Sequence, residues 1–336
     1  MRIRWVTALG AALLLWALGA AAAGAATLDT VKQRGRLVCG VNSALPGFGF
    51  IDSAGNWRGF DIDFCRAIAA AVLGNPSAVE FVPLSANQRQ TAIQTGEVDV
   101  LIRNTTRTLT RDTEWAADFA ATTFYDGQGF MVRKDLGVST LEDLAGASIC
   151  VTKGTTTELN LADAMRARGL SFTPVVFEDI DTVYNSYEQG RCDAVTSDMS
   201  QLASRRAIFA NPDDHAILDV TISKEPLGPL TRHGDNQWSD IVDWVVQATF
   251  FAEEHGITKE NVDTFTTTNP EILRFLGRTG DLGVKLGLDN EFAVRVIRAV
   301  GNYGEIYERN IGPLGIPRGL NRLYTEGGLL YAYPFN

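Results

Sequence analysis

The densest run of hydrogen-bonding side chains is Asn104-Thr105-Thr106-Arg107-Thr108-Leu109-Thr110-Arg111-Asp112. It follows a short apolar segment that reads as a buried strand. Thr108 suits a helix N-cap, which puts Arg111 at the third helical position. A helix start offers unpaired backbone N–H groups and positive potential, and both favour a carboxylate. Arg111 would add a two-pronged guanidinium contact to the same anion. The competing reading is a solvated first-turn arginine, where a cation is mildly disfavoured. A second stretch, Thr152-Lys153-Gly154-Thr155-Thr156-Thr157-Glu158, lies between a strand and a helix. Thr155 or Thr156 caps that helix, with Glu158 closing a capping box from Thr155. It lacks the G-x-x-x-x-G-K-[ST] phosphate loop, so a capped helix alone also explains it. Asp198 ends a third apolar segment. A carboxylate there can hold an ammonium group or simply cap the helix that begins at Met199. No G-x-S-x-G nucleophile motif occurs. His215, His233 and His255 stand among polar neighbours and are expected to be solvated.

The elements that must position these residues come in two series. Strands are expected over 37–41, 79–82 and 98–102, with helices over 61–73 and 87–95; Gly96 ends the second helix. The series restarts with a short helix or turn over 140–145. Strands follow over 148–151, 173–177 and 193–197, and helices over 156–168 and 181–189. Strand–helix–strand alternation implies mostly parallel sheets covered by helices. The two series echo each other. Gly96-Glu97-Val98-Asp99-Val100-Leu101-Ile102-Arg103-Asn104 matches Gly190-Arg191-Cys192-Asp193-Ala194-Val195-Thr196-Ser197-Asp198. The echo sets Asn104 and Asp198 at the carboxyl ends of equivalent strands, where open α/β sheets bind ligands. Two such sheets facing each other would make a cleft with one residue on each wall. The segments 124–134 and 222–232, rich in Gly and Pro, are expected to cross between lobes. An amphipathic helix is expected over 239–254 and further helical patterning over 269–308, with the tail wrapping the first lobe.

The chain has 336 residues, 45% hydrophobic and 21% charged, so it is neither fibrous nor wholly disordered. Net charge is −10, and the first 26 residues hold two arginines and no acid, so the remainder is more acidic still. Such a body is a poor binder of polyanions, and no nucleic-acid partner is expected. Arg2 and Arg4 precede an apolar run that ends in Ala23-Gly24-Ala25. This reads as a secretory signal peptide over 1–26; a retained membrane anchor is the alternative. Cys39, Cys65, Cys150 and Cys192 fit an oxidising compartment. Of three pairings, 39–65 with 150–192 keeps each bond inside one unit; four buried thiols are the alternative. No two cysteines sit two to four apart, so no metal site and no cofactor are expected.

These residues resemble the polar-amino-acid class of periplasmic solute-binding proteins of ABC importers, known as solute-binding protein family 3. The resemblance rests on Gly59-Phe60-Asp61-Ile62-Asp63, Gly96-Glu97-Val98-Asp99-Val100 and Thr106-x-Thr108-x-x-Arg111. It is nearest to the general L-amino-acid binders. The runs that point there are 55–61, 124–130, 154–163 and 301–310, together with the long C-terminal region. The resemblance implies an α/β, two-lobed periplasmic binding protein fold (type II). Each lobe is a mostly parallel sheet flanked by helices, and two crossover strands form a hinge. Lobe 1 is expected over 27–130 and 231–336, with lobe 2 over 131–230. Arg111 matches the arginine that grips an α-carboxylate, and Thr106 the residue that helps it. Thr156, beside Thr155, lies where the second lobe's helix start completes the cage. Asp198 matches the acid that takes the α-ammonium, and Asn104 faces the same end.

Three positions depart from common members. Asn42 replaces an Asp, Ala86 stands where an aromatic ring often stacks, and Thr152 lies near a side-chain-reading Lys. A pocket without those groups should discriminate side chains weakly, so broad specificity for L-amino acids is expected, polar and acidic ones included. The resemblance further implies an inner-membrane ABC permease complex as partner, a monomeric state, a periplasmic location and no enzymatic activity. A dehydratase-like enzyme on the same scaffold and a ligand-sensing module are the alternatives.

Overall fold

The computed structural model describes residues 26–336. The expected signal segment, all but Ala26, lies outside the described residues. The rest forms two lobes built on one plan. In the first, the sheet runs Val79–Pro83, Leu37–Val41, Val100–Leu101, Leu230–Arg232, Ala117–Phe119. Its first three strands are parallel and its last two join antiparallel. In the second, the order is Thr173–Phe177, Ser148–Thr152, Ala194–Asp198, Gln128–Arg133, His215–Ile217. Again three strands are parallel and two antiparallel. Each parallel trio carries helices across its connections, as right-handed crossovers demand. Phe124–Asp126 and Glu225–Leu227 pair with each other between the lobes and make the two-stranded hinge.

The sequence echo has a structural cause. Asp99 accepts the backbone N–H of Val38 at 2.7 Å, and Asp193 accepts that of Ser148 at 2.8 Å. Each acid therefore pins the start of the middle strand of its lobe's parallel trio, beside the turn that its preceding glycine ends. Gly96 has φ +73° and Gly190 φ +75°, a conformation in which a side chain is strained. Each of these middle strands also carries a cysteine at its third position. Cys39 is bonded to Cys65 on the helix Phe60–Leu73, and Cys150 to Cys192 in the loop before Ala194–Asp198.

The cores differ. Lobe 1 has a large cluster in which Phe60–Leu73 packs against Asn236–Glu254, Phe292–Val300 and Tyr303–Asn310, and a second, small one around Ala92, Ile93, Leu101 and Trp115. The indole of Trp238 donates to Asp99 O at 2.8 Å, tying this helical layer to the sheet. The C-terminal tail closes the layer: the Phe335 ring lies about 5 Å from Trp244, Phe251 and Phe275. Lobe 2 has two small clusters, one on each face of its sheet.

His215 corrects an expectation. It is buried, with Nδ1 2.8 Å from the Tyr187 hydroxyl, and burial holds its pKa down. Its polar neighbours Asp213 and Asp214 misled because they lie in the turn Pro212–Asp214, whereas His215 opens the strand His215–Ile217 and packs against Tyr187 and Phe209. His233 is exposed beside Asp118, and the His255 ring lies against Phe251.

Candidate functional site

The lobes meet over a small cavity lined by Ala86, Arg89, Arg103, Asn104, Thr106 and Arg111 from lobe 1. Thr152, Thr155, Thr156, Thr157, Ile180, Ser197, Asp198 and Gln201 line it from lobe 2. Its volume is ≈ 30 Å³, where a single water needs ~10–15 Å³ on the same measure. That is room for a few waters. The lobes are closed on it: Ser204 Oγ donates to Pro46 O at 2.6 Å and Arg205 Nη1 to Ala44 O at 2.8 Å. Arg205 is held for that contact by Asp181, 2.6 Å away, and by the face of Tyr184.

Local sequence explains how each wall is armed. Thr108 caps the helix Leu109–Glu114 and accepts the Arg111 N–H at 3.1 Å, as its spacing predicts. The Arg111 guanidinium turns back inward, donates to Thr106 O at 2.9 Å and lies over the Trp115 ring at 4.9 Å. Across the cavity, Thr155 caps Thr156–Ala167 by accepting the Glu158 N–H at 3.2 Å. The expected capping box is shifted by one residue: Glu158 accepts from Gly154 N–H, at 2.8 Å. Asp198 precedes the helix Met199–Arg206, yet its side chain makes no cap bond, which leaves it for the cavity. Met199 N–H is satisfied by Gly127 O instead, at 2.8 Å.

Among the described residues, Asn104 is one of two non-glycine residues with positive φ, at +32°. Such strain persists only where the surroundings hold it. Here Asp61 accepts the Asn104 N–H at 2.8 Å and Asn42 donates to its side-chain oxygen at 3.2 Å. Asn42 therefore supports Asn104 from behind and does not line the cavity. Thr106, Thr152, Thr155, Thr156 and Ala86 do line it.

Charge is unevenly shared. Arg89, Arg103 and Arg111, all from lobe 1, are buried. Burial depresses the guanidinium pKa of Arg103 and of Arg111 to about 10, against the pull of nearby acids. Asp198 comes from lobe 2 and Asp126 from the hinge. Burial, then Asp126 and Glu225, push the Asp198 carboxyl well above the usual range. Burial likewise raises Asp126 to about 6 and Asp61 to about 7.

Sequence reasoning passed over Arg89, Arg103, Gln201, Asp126 and Glu225. Arg89 left a readable signal, since it shares a helix face with buried Ala92 and Ile93. Glu225 left none. Its carboxylate accepts from Thr106 Oγ1 at 2.6 Å, Thr156 Oγ1 at 2.9 Å, Asn160 Nδ2 at 2.8 Å and Ser223 Oγ at 2.5 Å. One hinge acid thus links both lobes, and the single protons of the Thr106 and Thr156 hydroxyls point to it.

Residues 37–259 match the family described as bacterial extracellular solute-binding proteins, family 3. The chain is 54% identical over 333 residues to the general L-amino acid-binding periplasmic protein AapJ of Rhizobium johnstonii, with 97% of each covered. It is 55% identical over 326 residues to the glutamate/glutamine/aspartate/asparagine-binding protein BztA of Rhodobacter capsulatus, with 96% of each covered. Among solved structures it is similar to a periplasmic binding protein of an ABC transporter from Brucella ovis with glutathione bound. That match has a TM-score of 0.91 and 51% identity, over 93% of this chain and 100% of the other.

Proposed function

Because the chain belongs to the bacterial extracellular solute-binding proteins, family 3, we propose that it captures L-amino acids by closing its two lobes on them. It is a periplasmic binding protein of an ABC importer and not an enzyme. Capture of an amino acid, which the AapJ and BztA names print for those relatives, rests here on one observation. Arginines from one lobe face an unpaired acid from the other across the cavity between the lobes.

Arg111 and the start of the helix Thr156–Ala167 take the α-carboxylate. Asp198 takes the α-ammonium, with Asn104 beside it. The zwitterion then bridges the lobes, so it binds the closed form more tightly than the open one. That difference is what moves the equilibrium. Thr106 and Thr156 join the carboxylate by exchanging Glu225 for it. Thr152 and Thr155 shape the same wall, and Asn42 acts through Asn104. The closed protein, as a monomer, hands the solute to an inner-membrane ABC permease complex.

Isothermal titration of the protein, unfolded and refolded to strip carried-over ligand, tests this against the twenty L-amino acids and their D-forms. Tight binding confined to L-forms is expected. Absence of binding by any of them would sink the reading. Binding of D- and L-forms alike would remove the paired roles of Arg111 and Asp198, because a two-point zwitterion clamp with a shaped wall distinguishes enantiomers.

A further inference from the structure

The hinge strand Phe124–Asp126 is gripped along its outer edge by the end of the chain. On its inner edge Pro226 stands opposite Tyr125. Pro226 has no N–H to give, and its carbonyl turns away to accept the Arg107 N–H at 2.8 Å. One side chain serves both backbone groups of Tyr125 instead. Asn321 Oδ1 accepts the Tyr125 N–H at 2.6 Å, and Asn321 Nδ2 donates to Tyr125 O at 3.1 Å. Asn321 is 3% exposed and acts as an edge strand of one residue. The residues before Tyr125 are held in the same way. The Tyr303 hydroxyl donates to Thr123 O at 2.8 Å, and the Tyr307 ring stacks on Phe124 with the two planes 3° apart.

Asn321 is itself fixed. Arg318 Nε and Nη2 donate to Asn321 O at 3.0 and 2.8 Å. The same guanidinium pairs with Glu253 and lies over the rings of Tyr303 and Tyr307, at 5.3 and 5.5 Å. Tyr303, Tyr307, Arg318 and Asn321 all lie beyond residue 259, where the match to the family ends. This segment also seats the loop on which lobe 2 lands. A Cβ at Gly47, where φ is +84°, would come 2.5 Å from Leu314 Cδ1 and 3.1 Å from Asn310 O, so the loop lies directly on the end of the chain. Pro46, next to Gly47, is the residue whose carbonyl accepts from Ser204 of lobe 2. The end of the chain thus holds both lobe 1 parts of the closing motion, the strand about which lobe 2 swings and the loop that receives it.

Neither part lines the cavity, and Asn321 does not line it either. We propose that Asn321 is a positioning residue for lobe closure. With Tyr303 it fastens residues 123–125 to lobe 1, confines the swing of this crossover to Asp126–Gly127, and favours the closed arrangement. A hinge absorbs its rotation at a few residues, and backbone whose edge groups are both bonded resists bending, so the first peptides free to turn follow Tyr125. Gly127 suits a pivot packed this closely: a Cβ there would come 2.5 Å from Thr221 Cγ2. Fewer open arrangements mean a larger closed fraction, and apparent affinity scales with the fraction competent to bind. The role is therefore the same for every solute and does not depend on which one is captured.

The test uses ligand-stripped full-length mature protein, Asn321→Ala and the milder Tyr303→Phe, which loses a single hydroxyl and keeps the test open should Asn321→Ala not fold. Spin labels on Ser53→Cys and Arg166→Cys, exposed residues of lobe 1 and lobe 2, read the distance between lobes by double electron–electron resonance. The closed fraction of the ligand-free protein should fall in Asn321→Ala and fall less in Tyr303→Phe, while saturating L-glutamate restores the wild-type closed distance in both. Isothermal titration should show every L-amino acid that the wild type binds weakened by one common factor in Asn321→Ala, about three- to tenfold, with their order unchanged. A closed fraction equal to that of the wild type would overturn the proposal. A lower melting temperature with unchanged affinity would overturn it in favour of a purely structural asparagine. Weakening of some ligands and not others would also overturn it, because a hinge acts on all alike. Failure of the wild type to bind any amino acid would remove the amino-acid reading and leave the ligand-free distances to decide this one.

Discussion

The two lobes share a sheet order, a pinned strand in the parallel trio and an internal disulfide, yet they bring opposite goods to the cleft. Lobe 1 supplies Arg89, Arg103 and Arg111 and is backed by a deep helical core. Lobe 2 supplies Asp198 and a helix start and has two small clusters, one on each face of its sheet. The comparison teaches how closure is driven. Each wall holds charge that burial penalises. Closure strengthens that penalty unless a solute of complementary charge lies between the walls. The rigid lobe carries the cations, and the thinner lobe brings the acid to them.

Breaking either wall should have the largest effect. Arg111→Ala removes a buried charged partner, a loss of roughly 2–5 kcal/mol in binding, or at least tenfold in affinity. Titration should show this while circular dichroism stays native. Asp198→Asn should weaken binding on a similar scale but move stability the other way. Its carboxyl is raised by burial and by Asp126 and Glu225, so the unliganded protein should melt at higher temperature once that acid is gone. Loss of stability in Asp198→Asn would contradict the division of labour.

The disulfides sharpen the contrast next. The bonds close sequence separations of 26 and 42 residues, worth about 3.5 and about 4 kcal/mol in the chain-entropy model. Replacing Cys150 and Cys192 by Ala should loosen lobe 2 alone, because both cysteines belong to one of its two small core clusters. Hydrogen exchange would then show lobe 2 amides losing protection while lobe 1 keeps its own. Replacing Cys39 and Cys65 should lower global melting instead. Equal loss across both lobes from the Cys150–Cys192 variant would show that the cores do not differ as described.

A smaller effect follows from pH. Asp198, Asp126 and Asp61 are all raised in the folded state. A raised carboxyl favours its protonated form in the fold. Its contribution to stability is fully present below the unfolded value of 3.8 and is lost as pH rises through the folded value. For Asp126 and Asp61 that window runs from about 4 to about 7. The unliganded protein should therefore lose melting temperature between about pH 4 and about pH 7. Ligand ammonium favours ionised Asp198, so binding should release protons and weaken toward pH 5. Titration in two buffers of different ionisation enthalpy would read the proton count, and proton uptake on binding would contradict the placement of the ammonium. The smallest change expected is Thr155→Ala, which removes a helix cap worth about 1 kcal/mol and should lower lobe 2 stability by that amount in chemical denaturation.

Much of this was legible in local pattern. The spacing Thr108 to Arg111 gives a cap and its arginine, and the Gly–Asp echo gives two equivalent strand ends, with Asn104 and Asp198 on facing walls. Those features depend on neighbours a few residues apart, which is the range over which helix caps and strand alternation act. His215 was not legible, because its polar neighbours in sequence are not its neighbours in space. Asn42 was legible as a site residue but not in its part, since only the fold puts Asn104 between it and the cavity.

By itself the sequence determined the repeated α/β units, the cleft-facing strand ends, the caps and the family resemblance, because each follows from short-range periodicity and turn chemistry. The tertiary structure decided what no spacing carries: that three arginines 14 and 8 residues apart converge on one cavity, and that Glu225 crosses a hinge to hold threonines of both lobes. Charges brought together from distant positions interact through space and burial. Their cost and their use therefore exist only once the chain has closed on itself.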